Sequence, residues 1–316
     1  MINVLSLFDG LGGARLALDS LNIPCTYYAS EIDPYAIKVA KWNYPDIIHL
    51  GDVREVGINS NLPDIDLLVG GSPCTDLSIS KRNGKGLEGE ASGLFYEYVR
   101  VMNEIKPRYF LLENVASMKQ KDRDKITEIM GVKPVMINSS LVTAQQRKRL
   151  YWTNIEGIIQ PVDRKIYLRD ILEYGYTERV KAYCFTASYE YSCCKDYFVS
   201  GQRQLIFNAP VRIGTIGKGG QGERIYHVGG KSITLSANSG GGGGKTGLYE
   251  MKDYIRKLTP LEAKRLQGIP DDFTNVPGIS NTQRYKMIGN GFTIPVISHI
   301  LSYMGKVADK VQLSLF

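Results

Sequence analysis

Over the first 150 residues, short apolar runs alternate with stretches in which apolar residues recur every three or four positions. The runs Ile2–Phe8, Cys25–Ile32, Ile47–Leu50, Ile65–Val69, Arg108–Leu112 and Pro134–Ile137, bounded by Gly, Pro, Asn or Asp, predict strands. Ala14–Leu21, Pro34–Trp42, Leu94–Ile105 and Asp122–Met130 predict helices between most of them. This alternation predicts an α/β fold with a doubly wound, mostly parallel sheet. Such sheets bind ligands at the carboxyl ends of their strands, so the residues just after each strand are the ones to inspect.

From about Tyr176 helical periodicity fades, and Gly214–Gly247 holds 13 of the 33 glycines, including the run Gly240–Gly244. A glycine run by itself reads as a linker. Here Ile225–Val228 and Ser232–Leu235 interrupt the glycines with strand-like alternation, which favours an irregular β-rich module. Thr259–Gln267 and Pro295–Met304 are helical again. The expected organisation is a larger domain made of residues 1–180 plus 282–316, with a smaller β-rich domain at 181–281 inserted into it.

Charge sharpens that division. The net +7 is uneven: Met1–Leu150 carries 18 basic and 18 acidic residues, whereas Gly201–Lys257 carries nine basic and three acidic. A polyanion-facing surface and a merely lysine-rich solvated face explain this equally well. The apolar stretches Arg108–Val115 and Pro295–Met304 reach about half of the ~20 residues of a membrane span, and no signal peptide is readable. Five cysteines without a C-x-x-C pair and three scattered histidines predict no metal site and no disulfide framework, and fit free thiols in a reducing cytoplasm.

Candidate chemistry clusters at strand ends. Phe8-Asp9-Gly10-Leu11-Gly12-Gly13 follows the first strand and opens a helix, where glycines allow a tight turn and close approach to a nucleotide-like ligand. Its G-x-G-G spacing does not match a dinucleotide cradle and disfavours a nicotinamide enzyme. Glu31 ends the second strand, with Ile32 beside it, where a carboxylate accepts both ribose hydroxyls. Asp52, with Val53, ends the third and would accept from an adenine amino group. Either acid alone reads as a helix cap; together with the glycine turn they read as an adenosyl pocket, and S-adenosylmethionine fits one that lacks a pyrophosphate cradle.

Gly70-Gly71-Ser72-Pro73-Cys74 follows the fourth strand. Most cysteines are inert, but one on a stiff loop at a binding edge, its thiolate favoured by nearby positive charge, is a competent nucleophile. The stretch Asp76–Gly93 carries Ser78, Lys81, Arg82 and Lys85 among small residues and reads as a lid that closes on a polyanion. Glu113 ends the fifth strand, across the sheet edge from Cys74, and could protonate or hydrogen-bond a substrate between them; a helix-capping role is the alternative. Gln145–Tyr151 enters a strand whose alternation turns Arg147 and Arg149 to one face, as a paired cation site.

In order, these blocks resemble the DNA (cytosine-5) methyltransferases over nearly the full length. Phe8–Gly13 is similar to the family's cofactor motif, Gly71–Cys74 to its nucleophile loop, and Glu113-Asn114-Val115 and Gln145-x-Arg147-x-Arg149 to its next catalytic blocks. Arg256–Pro260 through Leu266–Pro270 resembles the block that braces the recognition domain, and Gly289-Asn290-Gly291 the one that completes the cofactor pocket. The Ser-Pro-Cys form of the nucleophile loop, in place of the more usual Pro-Pro-Cys, disturbs no catalytic position.

The resemblance implies a Rossmann-like S-adenosylmethionine-dependent methyltransferase acting on a cytosine flipped from double-stranded DNA through a Cys74 adduct. Glu113 would hold ring nitrogen 3, Arg147 the exocyclic oxygen, and Arg149 would support the site electrostatically. Cofactor contacts would come from the glycine turn, Glu31, Ile32, Asp52, Val53, Gly70, Ser72, Pro73 and Asn290. DNA contacts would come from Ser78, Lys81, Arg82 and Lys85 and, within a target-recognition domain, Arg212, Lys218, Arg224, Lys231, Lys245 and Arg256. The expected state is a monomer on DNA, without metal or membrane, in the cytoplasm of a prokaryotic or phage-infected cell. Rival readings are a transfer-RNA cytosine methyltransferase, against which the basic glycine-rich insert speaks, and a catalytically inactive DNA-binding relative, against which intact Cys74, Glu113 and Arg147 speak.

Overall fold

The structure is a computed structural model that describes residues 1–73, 77, 86–89, 93–171, 173, 212–218, 223–228, 231–233, 248–250, 255–256 and 259–305. The chain divides into two compact units. One comprises Met1–Asn138, Lys148–Pro161 and Gly291–Phe316; the other comprises Ser139–Arg147 and Val162–Asn290.

The first unit is built on a seven-stranded sheet of order β3-β2-β1-β4-β5-β7-β6. Its strands are β1 (Ile2–Leu7), β2 (Cys25–Ser30), β3 (Ile48–Gly51), β4 (Leu67–Gly70), β5 (Tyr109–Val115), β6 (Val135–Asn138) and β7 (Lys148–Thr153). All are parallel except β7, which runs antiparallel to both β5 and β6. Central parallel strands are covered on both faces and therefore read as continuous apolar runs. Accordingly Val4, Leu5, Leu7, Leu67, Leu68, Val69, Leu111 and Leu112 are buried without remainder. Reversal of β7 carries its first residues to the rim where β1, β4 and β5 end, so Lys148 and Arg149 share that rim with Glu113–Val115.

Helices α1 (Gly13–Asp19), α2 (Pro34–Asn43), α3 (Phe95–Ile105) and α4 (Gln120–Met130) connect the strands. On α3, Phe95, Tyr98 and Val101 recur at helical spacing and join the core with Leu5, Leu68 and Leu112. The small residues Gly13, Ala14 and Ala17 bury one face of α1. A methyl group at Gly13 would lie 3.4 Å from the side chains of Phe292 and Ile294, and the hydroxyls of Ser20 and Ser298 meet at 2.7 Å.

In the second unit, β8 (Arg212–Thr215), β9 (Arg224–Tyr226), β10 (Leu248–Glu250) and β11 (Ile255–Arg256) form a four-stranded sheet of order β11-β10-β9-β8. Helices α5 (Pro260–Gln267) and α6 (Asn281–Asn290) follow, and α7 (Ile294–Leu301) belongs to the first unit. Of the predicted strand Ser232–Leu235 only a single bridge, Gln145 to Ser232, is present among the described residues. No described helix is long and apolar enough to cross a membrane.

Candidate active site

The turn after β1 is tight. Phe8, Gly10 and Gly12 all take left-handed conformations, with φ of 57°, 63° and 88°. Glycine adopts these without penalty, whereas Phe8 does so at a cost typical of functional turns. The Asp9 side chain is buried, and its Oδ1 accepts from the Tyr27 hydroxyl at 2.7 Å. Burial pushes its pKa up to about 6 against the opposing pull of that hydrogen bond. Leu11 also turns its side chain into the core. A Cβ at Gly10 would meet nothing within 4 Å, so this side of the turn is open.

Beside the opening, Glu31 is held by three backbone amides. Oε2 accepts from Gly10 N–H at 2.8 Å, and Oε1 accepts from Ile32 and Asp33 N–H at 2.8 and 2.9 Å. The next side chain, Ile32, is 68% exposed. Asp52 caps a 3-10 turn over Val53–Glu55, accepts from Arg54 N–H and pairs with the Arg54 guanidinium at 3.1 Å; Val53 is buried.

At the end of β4 there is no room for side chains. A Cβ at Gly70 would stand 3.0 Å from the Leu7 carbonyl oxygen and the Tyr98 ring, and one at Gly71 3.1 Å from the Phe292 ring and 3.2 Å from Glu113 Oε2. The Ser72 carbonyl and hydroxyl oxygens accept from Asn114 Nδ2 at 3.3 and 3.2 Å, while Asn114 Oδ1 accepts from Val115 N–H. The side chain of Asn114 thus fastens the Gly70–Pro73 segment to β5. The following residue, Cys74, lies outside the described residues, as do Ser78, Lys81, Arg82, Lys85 and Lys245.

Glu113 pairs with Arg149, Oε1 to Nε at 2.8 Å, both side chains only 13% exposed. Glu113 stands opposite Tyr151 and Val115 opposite Arg149, so the two charged residues are diagonal neighbours on one face of the β5–β7 ladder. One carboxylate oxygen is therefore committed to the guanidinium, and the other faces the Gly71 peptide.

The remaining candidates lie in the second unit. Arg147 precedes the first residue of β7, so strand alternation does not govern it. Its buried guanidinium donates from Nη2 to the Gly289 carbonyl at 3.3 Å, and the predicted Arg147–Arg149 pair is replaced by two arginines with different partners. Asn290 is exposed at the end of α6, Arg212 and Lys218 are exposed, and Arg224 is half-buried. Arg256 lies in β11. Lys231 departs from the DNA-facing expectation. It is buried, and its ammonium donates to the backbone carbonyls of Ser140, Thr143 and Ile166, which leaves no hydrogen for a phosphate. Asn114 and Phe292 were not among the sequence candidates. Asn114 was readable from its place beside Glu113; Phe292 carries no local signal.

A family model described as C-5 cytosine-specific DNA methylase matches residues 2–306. The chain is 32% identical over 329 residues to the type II methyltransferase M.HhaI of Haemophilus parahaemolyticus, across 96% of this chain and 94% of that protein. It is 30% identical over 323 residues to the type II methyltransferase M.Bsp6I of Bacillus sp. strain RFL6, across 95% and 97%. Among solved structures it is similar in fold to the Entamoeba histolytica methyltransferase EhMeth (TM-score 0.69, 17% identity, 98% and 99% covered) and to Schizosaccharomyces pombe Dnmt2 (0.66, 18%, 98% and 99%). With the family match running from residue 2 to residue 306 and the likeness to M.HhaI nearly end to end, the chain belongs to the C-5 cytosine-specific DNA methylase family.

Proposed function

We propose that the chain methylates carbon 5 of a cytosine flipped out of a specific duplex DNA sequence, through a covalent adduct on Cys74. The observation that carries the reading is the Glu113–Arg149 pair, whose second carboxylate oxygen faces the glycine loop leading to Cys74.

The open glycine turn, a carboxylate immobilised by three amides and an exposed apolar Ile32 fit an adenosyl group: Glu31 for the ribose hydroxyls, Ile32 for the ring. Asp52 accepts from the adenine amino group; Asp9 and Leu11 contribute through their backbones, as do Gly10, Gly12 and Gly13, and Gly70, Ser72, Pro73 and Asn290 complete the set. S-adenosylmethionine, when bound, supplies an electrophilic methyl group on a sulfonium.

Cytosine carbon 5 is too weak a nucleophile unaided. Cys74 thiolate adds to carbon 6; the 5,6 pair shifts into the bond between carbons 5 and 4, and the pair between carbon 4 and nitrogen 3 moves onto nitrogen 3, which takes a hydrogen from Glu113 Oε2 while Arg149 fixes Oε1 and returns it as carbon 5 is methylated. Arg147 holds the exocyclic oxygen. Once carbon 5 carries the methyl, a base removes its remaining hydrogen as a proton, the double bond re-forms, and the thiolate leaves. Base flipping costs about a few kcal/mol. Compensating contacts come from the lid residues Ser78, Lys81, Arg82 and Lys85 and, in a recognition domain at 181–281, from Arg212, Lys218, Arg224, Lys245 and Arg256. The enzyme acts as a monomer on DNA in the cytoplasm.

The test is a duplex carrying 5-fluorocytosine at the methylation site, the site itself located by bisulfite sequencing of DNA from expressing cells. With cofactor present, intact mass should show a stable one-to-one adduct in the wild type and none in Cys74→Ser. An adduct that survives in Cys74→Ser, or none in the wild type, overturns the mechanism.

A further inference from the structure

Lys231 is 6% exposed, yet it has a full set of partners. Nζ donates to the carbonyl oxygens of Ser140 at 3.0 Å and Thr143 at 3.5 Å and, in a shorter contact, to that of Ile166. An ammonium has three hydrogens and no lone pair, so these carbonyls use all of them. Asp163 Oδ1 stands 4.0 Å away, and the Tyr167 ring lies beside the charge at 4.9 Å. A buried charge is tolerated when its surroundings compensate it. Here the compensation comes from two separate stretches of chain, 140–143 and 163–167.

The first of these stretches leads to Arg147. Ser139 N–H donates to the Arg147 carbonyl at 3.0 Å and closes the 139–147 loop, and the Ser140 and Thr143 carbonyls inside that loop are the ones Lys231 holds. The neighbouring Ser232 clips the same loop from the side: its carbonyl accepts from Gln146 N–H at 2.6 Å, and its N–H donates to the Ala144 carbonyl. Ser232 Oγ in turn meets the Tyr249 hydroxyl on β10 at 3.0 Å. Lys231-Ser232 is therefore a brace between the four-stranded sheet and the peptide that carries Arg147.

We infer that Lys231 is a positioning residue for Arg147, acting through the backbone of the 139–147 loop. The inference rests on the assignment of Arg147 to the cytosine's exocyclic oxygen. Misplacement of such a group by a fraction of an ångström lowers turnover without preventing substrate from binding. Lys231→Met keeps the apolar stem but removes every ammonium contact. In the full-length enzyme, single-turnover methylation of a duplex bearing the mapped site should slow at least tenfold per folded molecule. KM for that duplex should stay within threefold, and amide exchange should quicken at Ser139 and Gln146.

A lysine that only held the fold would lower thermal stability and leave the rate of the folded fraction within twofold of wild type; that result overturns the inference. Should Lys231→Met fail to fold, Asp163→Asn decides. Asp163 is half-exposed and bonds Lys165 N–H through Oδ1, which asparagine preserves. A two- to threefold slower rate at unchanged KM supports the brace, and an unchanged rate overturns it. Arg147→Ala separates the two levels. If it methylates at the wild-type rate, the reading of Arg147 is wrong. If it is inactive while Lys231→Met is unaffected, only the brace is wrong.

Discussion

In the seven-stranded sheet, β1, β4 and β5 contribute mostly aliphatic side chains that are wholly enclosed. In the second unit the described strands are two to four residues long, and beside apolar residues such as Leu266 and Ile288 the enclosed positions include Gln145, Lys231, Ser232, Glu262, Lys264 and Gln267. Gln145 Nε2 donates to the Leu266 carbonyl and to Gln267 Oε1, both at 3.0 Å, and Gln267 donates onward to the Ile288 carbonyl. Glu262 joins Glu173 N–H to Thr259 N–H. Apolar burial is non-directional and tolerates a change of shape, whereas a buried polar network holds only while every donor meets its acceptor. The first unit is thus suited to carry groups at its rim that can change without loss of fold, and the second to set distances between loops.

The sharpest way to break this contrast is at the rim. Glu113→Gln keeps the side chain's length and its acceptor for Arg149 but gives the ring nitrogen a fixed amide. Single-turnover methylation should slow by about 100-fold or more, in the range general acid–base groups supply, while gel-shift affinity for the duplex is retained. An unchanged rate would remove Glu113 from the chemistry.

Next come two swaps that keep volume. Leu68→Met, in β4, should cost less than about 1.5 kcal/mol. Gln145→Met should cost about 3 kcal/mol, because two buried acceptors lose their donor. Equal losses in thermal or urea denaturation would erase the distinction between the units.

A further test comes from a buried acid of the first unit, Asp9. Burial raises its carboxyl from an ordinary 3.8 to about 6, so between those values the folded chain holds a proton that the unfolded chain has released. Stability should therefore fall as pH rises from about 4 to 6 and stay lower above that. Asp9→Asn, which still accepts from Tyr27, should be more stable than wild type at pH 8 by about 3 kcal/mol and no different below pH 4. A gain that persists at low pH would mean that charge burial is not its source.

Legibility in the sequence followed the same divide. The runs that became β1, β4 and β5 were readable to within a few residues because two-sided burial leaves an unbroken apolar signature. Strand β7 was visible as a strand, but its reversed insertion between β5 and β6 is a choice of hydrogen-bonding partner that no local pattern encodes. Helix α6 carries a signal that apolar periodicity does not show: Ser280 Oγ accepts from Gln283 N–H while Gln283 Oε1 accepts from Ser280 N–H, a reciprocal cap written as Ser-x-x-Gln. Glu31 and Glu113 were readable as strand-end acids. The anchoring of Glu31 to the Gly10 amide and of Glu113 to Arg149 is not, since both partners lie on other segments. Lys231 among glycines reads as a surface charge, and its enclosure depends on carbonyls up to 91 residues away.

The ring of Phe292 rests against both Gly13, at the head of α1, and Gly71, at the foot of the cysteine loop. A ribosome reaches that phenylalanine only after the whole intervening unit has been translated. Until then the growing polypeptide lacks the ring that packs against both turns, so a premature stop between positions 154 and 292 would leave strands β1 to β7 complete but without that ring.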